Sequence, residues 1–271
     1  MTPDQQLASL AKQIRLNCLK MVHRAKASHI ASALSIVDIL AVLYGRVMNF
    51  DPATPDSEMR DRFILSKGHA CVAVYSTLAE IGVIPKEQLD TYGEDFSWLM
   101  NHISHKVPGV EFSTGALGHG LPFGVGKAVA AKIKGEIWRT FVLLSDGEMD
   151  EGSNWEALMF AAHHKVENLT AIIDYNKLQS LGSVANTLGL EPLVEKLVAF
   201  GCDVLEVDGH DHTQIFEALT ERITGKSRVI VAHTVKGKGV SFMENRVEWH
   251  YKNPNDQQLA AALAELEASH A

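Results

Sequence analysis

Two oxygen-bearing side chains, those of Asp146 and Asn176, are the groups in this sequence best placed to bind one cation. Each follows a short apolar run, at 140–144 and at 169–173, and such runs are typical of buried parallel strands. A strand–helix–strand crossover is almost always right-handed, so both strands should end at the same edge of a sheet. Because neighbouring strands lie roughly 4.8 Å apart, the two side chains can reach a common ion if these strands are adjacent.

The segment between the two predicted strands should form the connecting helix. Ser153 and Glu156 have the spacing of a capping box, and apolar residues occupy the i, i+3, i+4 and i+7 positions of one helix face. Those apolar residues are Trp155, Leu158, Met159 and Ala162.

A carboxylate, a carboxamide and a backbone carbonyl near Leu178 make an incomplete ligand set for a cation that takes about six oxygens. Mg²⁺ commonly completes such a set with phosphate oxygens, so a diphosphate is the natural missing ligand. The same residues also have a structural interpretation, since Asp146 suits a turn and Asn176 suits a loop. In that case the acidic residues after Asp146 only favour a helix N-terminus; they are Glu148, Asp150 and Glu151.

The composition is that of an ordinary globular α/β protein. Of the 271 residues, 46% are hydrophobic and 21% are charged, which allows a large core. Strand and helix patterns recur evenly, without a Ser-, Gly- or Pro-rich linker. We therefore expect one domain over residues 1–271, with a mostly parallel sheet covered by helices on both faces.

The net charge limits the classes of partner that the chain can bind, and the cysteines indicate its cellular compartment. A formal net charge of −8 without a basic stripe argues against a nucleic-acid surface, which needs clustered Lys and Arg. Cys18, Cys71 and Cys202 match no metal or redox spacing, so we expect buried free thiols in a reducing cytoplasm. We expect no membrane association, because the N-terminus lacks a signal-peptide pattern and no apolar run approaches the ~18 residues of a span.

Polar and glycine-rich turns follow further predicted elements. The predicted strand 62–65 ends in Ser66-Lys67-Gly68-His69, ahead of a helix over 70–81, and the turn 115–120 precedes a helix over 124–134. Glycines in such turns let the backbone approach a ligand closely. The remaining helices are predicted over 5–26, 35–44, 213–223 and 256–267, the last with Asp256 as its N-cap, and the remaining strands over 204–207 and 228–232.

Five of the 13 histidines lie in predicted loops or at strand ends, where a side chain can meet a ligand: His29, His69, His102, His210 and His233. For any one histidine a structural role is the more frequent outcome. Zinc binding is a competing interpretation, although no H-x-x-x-H or H-E-x-x-H pair occurs on a predicted helix. Gathered at one sheet edge beside a metal, these side chains would suit proton transfer and recognition of an anionic, hydroxyl-rich substrate.

Several of these segments together resemble the transketolase family. Ser145-Asp146-Gly147, 30 residues before Asn176, is similar to the G-D-G…N motif that binds magnesium and the diphosphate of thiamine diphosphate. The other matching segments follow one another in the family's order, so the combined signal is far more specific than one motif. They are His29 with Leu34-Ser35, Leu65-Ser66-Lys67-Gly68-His69-Ala70, Pro108-Gly109-Val110-Glu111 through Gly115-Ala116-Leu117-Gly118, and His233-Thr234 with Lys236-Gly237 and Gly239.

The resemblance implies a thiamine-diphosphate-binding fold and a role for each matching residue. Asp146 and Asn176 would bind Mg²⁺, or alternatively Ca²⁺ or Mn²⁺, with a backbone carbonyl at Leu178. Gly147 and Gly118 would border the diphosphate.

Other implied roles concern the rest of the cofactor and the substrate. Gly115 would also contact the cofactor, Leu117 would lie near the thiazolium, and Glu151 corresponds to an acid that links two cofactor sites across the interface between subunits. The family's histidines contact the cofactor or the sugar hydroxyls and assist proton transfer. They correspond to His29, His69, His102 and His233, of which His69 and His233 would contact the cofactor.

The sequence departs from the family pattern at three places. Ser145 replaces the first glycine of G-D-G, and His119 stands where larger relatives have glutamine. The loop 30–33 lacks the proline and glycines that follow the corresponding histidine in most members, which bears on the role of His29.

The sequence ends before the pyrimidine-binding domain that a full transketolase carries. We therefore expect the N-terminal, diphosphate-binding subunit of a split transketolase, working with a separate subunit in an α2β2 assembly. The implied reaction moves a two-carbon ketol unit from a ketose, expected to be a phosphate, to an aldose. The alternatives are half of a deoxyxylulose-phosphate synthase-like or ketoacid dehydrogenase E1-like enzyme, or a non-catalytic thiamine diphosphate binder. The identity of the sugars is not readable here, because most sugar-gripping residues of the family belong to the other half.

Overall fold

One parallel sheet organises the part of the chain that the structure, a computed structural model, describes: residues 1–221 and 225–268. The strand order is β1-β2-β3-β5-β4, and every neighbouring pair is parallel. The strands are β1 Arg62–Leu65, β2 Thr140–Ser145, β3 Leu169–Tyr175, β4 Asp203–Asp208 and β5 Arg228–His233. Strands β2 and β3 are therefore neighbours, as the metal-site prediction requires.

The helices connect and cover these strands. They are α1 Pro3–Ala25, α2 Ile30–Leu34, α3 Val37–Val42, α4 Cys71–Glu80, α5 Gly120–Lys134, α6 Gly152–His163, α7 Val184–Thr187, α8 Leu193–Ala199, α9 His212–Thr220 and α10 Asp256–Ala268. Short 3₁₀ turns occur at Gly68–Ala70, Lys86–Thr91, Gly147–Asp150 and Val247–His250, and a π-helical turn at Leu43–Val47. Within the described ranges, no helix has the length and apolar character needed to cross a membrane.

Alternate residues of β2 show that both faces of the sheet are covered. Phe141 and Leu143 belong to an apolar cluster that includes residues of α1, α3 and α4, whereas Val142 and Leu144 belong to a second cluster with residues of α5, α6 and α8. This division follows from the pleat, which turns successive side chains to opposite faces. The predicted fold class, a mostly parallel sheet between helices, is confirmed.

Some predicted helix boundaries are wrong. The segment predicted as one helix over 35–44 consists of α3 and the π-helical turn, and α2 lies between the helices predicted over 5–26 and 35–44. Asp256 is the first residue of α10 rather than its cap; the Oδ1 atom of Asn255 accepts a hydrogen bond from the backbone N–H of Gln258 at 2.9 Å. The predicted end of α9 at Ile223 lies outside the described residues.

Two glycines of α5 provide a matched test of the packing between this helix and β2. A Cβ atom on Gly124 would lie 2.4 Å from Cγ2 of Val142, whereas a Cβ atom on Gly126 would have nothing within 4 Å. We expect Gly124→Ala to lower the free energy of unfolding by about 1–3 kcal/mol through overpacking. Gly126→Ala should raise it by up to about 1 kcal/mol, because alanine is the better helix former. Urea denaturation measures both, and equal effects would contradict the packing described.

Candidate functional site

A cleft of about 240 Å³ lies at the carboxyl edge of the sheet, at the ends of β1, β2 and β3. Open α/β sheets bind ligands at this edge. Nine of the residues predicted for the site line the cleft: His29, His69, His102, Gly115, Leu117, Asp146, Gly147, Asn176 and Leu178. Gly118, Glu151 and His233 are not among the lining residues.

The predicted metal ligands follow neighbouring strands and are held by local hydrogen bonds. The carboxylate of Asp146, which is 1% exposed, accepts bonds from the backbone N–H groups of Gly147 at 2.7 Å and Lys177 at 2.5 Å. Asn176 Oδ1 accepts from the N–H of Leu178 at 3.1 Å. Asp146, Asn176 and Leu178 all line the cleft, so a carboxylate, a carboxamide and a backbone carbonyl, a donor set suited to a hard cation, lie close together.

The charge on Asp146 is unfavourable in the folded chain. Burial, followed by the nearby negative charge of Asp174, raises the pKa of Asp146 to about 7. A cation bound to this carboxylate would relieve both effects. The described residues contain no group of three or more His, Cys, Asp or Glu side chains able to hold a metal, so a metal here needs ligands from outside this set, such as phosphate oxygens.

Asp174, the residue of β3 two positions before Asn176, joins several loops of the cleft. Its fully buried carboxylate accepts hydrogen bonds from the hydroxyls of Ser35 and Thr234 and from the ammonium of Lys67. The Asn176 carboxamide donates to it at 3.2 Å. Although burial acts in the opposite direction, Lys67 holds the pKa of Asp174 below its usual value, so this carboxylate stays charged.

Lys236 brings a second buried ammonium into the cleft. Its Nζ atom, on a residue only 2% exposed, donates to the carbonyls of Leu178 at 2.9 Å and Gln179 at 3.0 Å, and lies 3.1 Å from Nδ1 of His250. Burial and then the charge of Lys67 lower its pKa to about 8. Among the described residues no carboxylate lies within hydrogen-bond distance of this ammonium, so an anion in the cleft would supply the missing counter-charge.

Three predicted histidines meet in the cleft, and a fourth that sequence reasoning missed joins them. The ring centroid of His29 lies 5.0 Å from that of His69, 6.0 Å from that of His102 and 4.9 Å from that of His250. Burial is the main cause that lowers the pKa of His29 to about 4 and that of His250 to about 3, and it lowers those of the other two as well. At neutral pH these imidazoles are uncharged and can each accept and donate a hydrogen bond.

His233 lies away from this cluster. Its Nε2 atom is 2.8 Å from a carboxylate oxygen of Glu206, its ring packs against Tyr175, and its side chain is 42% exposed. The next residue, Thr234, is the one that bonds Asp174. Adjacent residues of a strand point to opposite faces, so the strand-end position of His233 did not determine the direction of its side chain.

The glycine-rich turn before α5 packs tightly against the turn after β2. Gly118 has a φ of +82°, and a Cβ atom there would lie 2.6 Å from Ser153 Oγ and 2.7 Å from Glu151 Cβ. The Ser153 hydroxyl donates to the carbonyl of Gly118 at 2.7 Å, and the N-cap of α6 is Glu151, which makes no side-chain capping bond. The predicted capping box of Ser153 and Glu156 is therefore wrong.

Glu148 is a buried carboxylate that links three of the loops. It accepts hydrogen bonds from the hydroxyl of Ser66 at 2.5 Å, from the N–H of Gly118 at 2.9 Å and from the N–H of Ser145 at 3.4 Å. Burial raises its pKa. The sequence analysis interpreted Glu148 as a charge at a helix N-terminus and missed this role. The only signal for the role in the sequence is that Glu148 is an acidic residue within the motif after β2.

Comparison with known proteins identifies the family of this chain. Residues 6–267 match the family described as "Transketolase, thiamine diphosphate binding domain". The chain therefore belongs to the transketolase family and corresponds to its thiamine diphosphate binding domain.

Within this family, the chain resembles transketolase subunits over nearly their full length. It is 45% identical to one subunit of the apulose-4-phosphate transketolase of Actinobacillus succinogenes, over 96% of each chain. It is 38% identical to one subunit of the 6-deoxy-6-sulfo-D-fructose transketolase of a Clostridium species, over 95% of this chain and 94% of the relative. These matches confirm the predicted kinship with the N-terminal subunit of split transketolases.

Solved structures of full transketolases contain the same fold. The transketolase of Leishmania mexicana superposes with a TM-score of 0.90 at 31% identity, covering 96% of this chain and 41% of the other. The enzyme of Campylobacter jejuni gives a TM-score of 0.90 at 29% identity. The chain thus spans about two fifths of these proteins.

The raised pKa of Asp146 predicts a pH-dependent stability. The folded protein keeps this proton up to about pH 7, whereas the ordinary value is 3.8, so the Asp146 contribution lowers stability as the pH rises between those values. Asp146→Asn stays neutral at every pH but keeps only one acceptor oxygen for the two backbone N–H groups, so the charge effect appears as a difference between pH values. Relative to the wild type, the free energy of unfolding of metal-free Asp146→Asn should be higher at pH 8 than at pH 4 by on the order of 2 kcal/mol.

Denaturation at pH 4 and pH 8 checks this prediction. The stability of Asp146→Asn relative to the wild type should fall towards pH 4, and Mg²⁺ with thiamine diphosphate should stabilise the wild type but not Asp146→Asn. An equal difference from the wild type at both pH values would show that the charge of Asp146 is not its cause.

Proposed function

We propose that this chain is the diphosphate-binding subunit of a heteromeric, Mg²⁺-dependent transketolase that transfers a two-carbon ketol unit from a ketose to an aldose. One observation supports this most strongly. A buried carboxylate–carboxamide pair, the Lys236 ammonium, which has no carboxylate within hydrogen-bond distance among the described residues, and a cluster of neutral histidines line one cleft at the carboxyl edge of the sheet.

The residues present fit thiamine diphosphate and its metal. Asp146, Asn176 and the Leu178 carbonyl would hold Mg²⁺, or Ca²⁺ or Mn²⁺ in its place, with phosphate oxygens completing the shell. Lys236 would offset part of the remaining phosphate charge. When bound, the cofactor supplies the nucleophilic carbon that carries the ketol unit.

The histidine cluster would act on the sugar. Uncharged imidazoles of His29, His69, His102 and His250 can accept a proton from a substrate hydroxyl and return it. The chemistry assigned to this chain is therefore orientation of hydroxyl groups and proton transfer next to the cofactor.

The substrate we propose is a ketose that carries an anionic group at its far end. The names of two relatives support this, since one refers to apulose-4-phosphate and the other to 6-deoxy-6-sulfo-D-fructose. The anion would be a phosphate or a sulfonate.

A second type of chain completes the proposed enzyme. The relatives that are named as transketolase subunits, and the two-fifths coverage of full transketolases, support a separate chain that carries the pyrimidine-binding domain. We propose an α2β2 assembly in the cytoplasm, with Glu151, beside Gly118, facing the interface between subunits.

Reconstitution tests the proposal. This chain alone should have negligible ketol transfer activity, because the residues that hold the aminopyrimidine lie on the partner. Mixing it with the partner subunit, Mg²⁺ and thiamine diphosphate should give activity that EDTA removes. Full activity of the isolated chain would contradict the split assembly, and pyruvate decarboxylation without ketol transfer would favour the synthase-like or dehydrogenase-like alternative.

The histidine assignments can be tested with a matched pair. In the reconstituted complex, His250→Ala should lower kcat by about 10²–10⁴-fold, as expected for loss of a general acid–base group. His233→Ala should change kcat less than about twofold, since surface substitutions of this kind usually have small effects. Steady-state kinetics with a ketose phosphate and an aldose measure both. A large loss in His233→Ala would instead support the role that the family resemblance implies for this residue.

A further inference from the structure

A second polar network lies behind the cleft, on the side of α1 and α3. Its centre is Asp38 of α3, a buried residue whose carboxylate contacts the guanidinium of Arg15, Nδ1 of His210 at 2.7 Å and Nε2 of His212 at 3.1 Å. Burial acts against ionisation, but Arg15 and the two imidazoles hold the pKa of Asp38 well below its usual value. The network is thus built around a carboxylate that is ionised at neutral pH.

The hydrogen bonds of His210 define the protonation of its ring. Nε2 accepts a hydrogen bond from the backbone N–H of Val235 at 2.8 Å and therefore carries no proton. Nδ1 must then carry the proton and donate it to Asp38. His210 is consequently a neutral imidazole with both nitrogens used, one by the charge of Asp38 and the other by the loop after β5.

That loop carries Lys236 into the cleft. Val235, held by His210, directly precedes Lys236, and the Nε atom of Arg15 donates to the carbonyl of Lys238 at 3.3 Å. The same network therefore holds the backbone on both sides of Lys236. His210 itself is not among the residues that line the cleft, so any effect on a ligand there must act through this loop.

We propose that His210 is a positioning residue: by holding the N–H of Val235, with Asp38 fixing the required tautomer, it sets the ammonium of Lys236 against the diphosphate site. The part of this inference that concerns the diphosphate rests on the proposed function. The role of His210 in holding the loop does not depend on it.

Four substitutions separate this role from general stability. His210→Phe and His210→Ala remove both hydrogen bonds, whereas the carboxamide of His210→Gln can still accept from Val235 and donate to Asp38. His212→Phe is the matched control, because among the described residues His212 bonds Asp38 but no backbone group of the loop.

Amide hydrogen exchange of the full-length chain without cofactor is the first measurement. The segment 234–239 should exchange about tenfold faster in His210→Phe and His210→Ala, reflecting one lost hydrogen bond that held it closed. The wild-type rate should persist in His210→Gln and His212→Phe. An unchanged rate in His210→Phe and His210→Ala, an equal rise in His212→Phe, or loss of cooperative thermal unfolding in both removal variants would overturn the proposal.

A double-mutant cycle on the reconstituted complex is the second measurement. The Kd for thiamine diphosphate with Mg²⁺ should rise about tenfold in His210→Phe, yet less than about twofold when His210→Phe is added to Lys236→Met. A full tenfold rise on the Lys236→Met background would overturn the proposal, because His210 would then act without Lys236. If the wild-type complex binds no thiamine diphosphate, the proposed function fails, while the exchange rates still decide whether His210 holds the loop.

Discussion

Two buried carboxylates at the carboxyl edge of the sheet, those of Asp174 and Glu148, hold together the loops from which the cleft is built. Asp174 accepts hydrogen bonds from residues that follow α2, β1, β3 and β5. Glu148 accepts hydrogen bonds from the turn after β1, from the end of β2 and from the turn before α5. A buried carboxylate is costly unless its oxygens are satisfied, so each loop is fixed by the donor it supplies. Without these two carboxylates the loops would lose the hydrogen bonds that hold them together.

Two other charged groups of the cleft, Asp146 and Lys236, would each be stabilised by a bound ligand. Asp146 is ionised only at a cost, and the ammonium of Lys236 has carbonyls and an imidazole, but no carboxylate within hydrogen-bond distance, among its described partners. A metal ion would neutralise the first and phosphate oxygens the second. The neutral histidines beside them add proton acceptors without adding further positive charge.

Much of the sheet and the metal-binding edge could be predicted from the sequence, because apolar runs and strand–helix–strand handedness are local signals. They placed Asp146 and Asn176 after two parallel strands that end at one edge of the sheet, and the structure shows that these strands are neighbours, with Ser145 opposite Asp174. Hydrogen bonds between side chains and residues far away in the sequence could not be predicted this way. Glu148 and Ser153 form tertiary hydrogen bonds where local patterns suggested helix-terminus roles.

The two histidines that lie elsewhere than expected differ for a similar reason. His250 comes from a short 3₁₀ turn outside the predicted sheet, and only its tertiary position beside His29 brings it into the cleft. His233 does stand at a strand end, but a shift of one residue along the strand reverses the direction of a side chain.

A crystal structure of this chain bound to its partner, Mg²⁺ and thiamine diphosphate is the most direct test of the proposed metal and diphosphate site. We predict the metal at roughly 2.0–2.2 Å from oxygens of Asp146, Asn176 and Leu178; a metal and diphosphate bound away from these oxygens would contradict it.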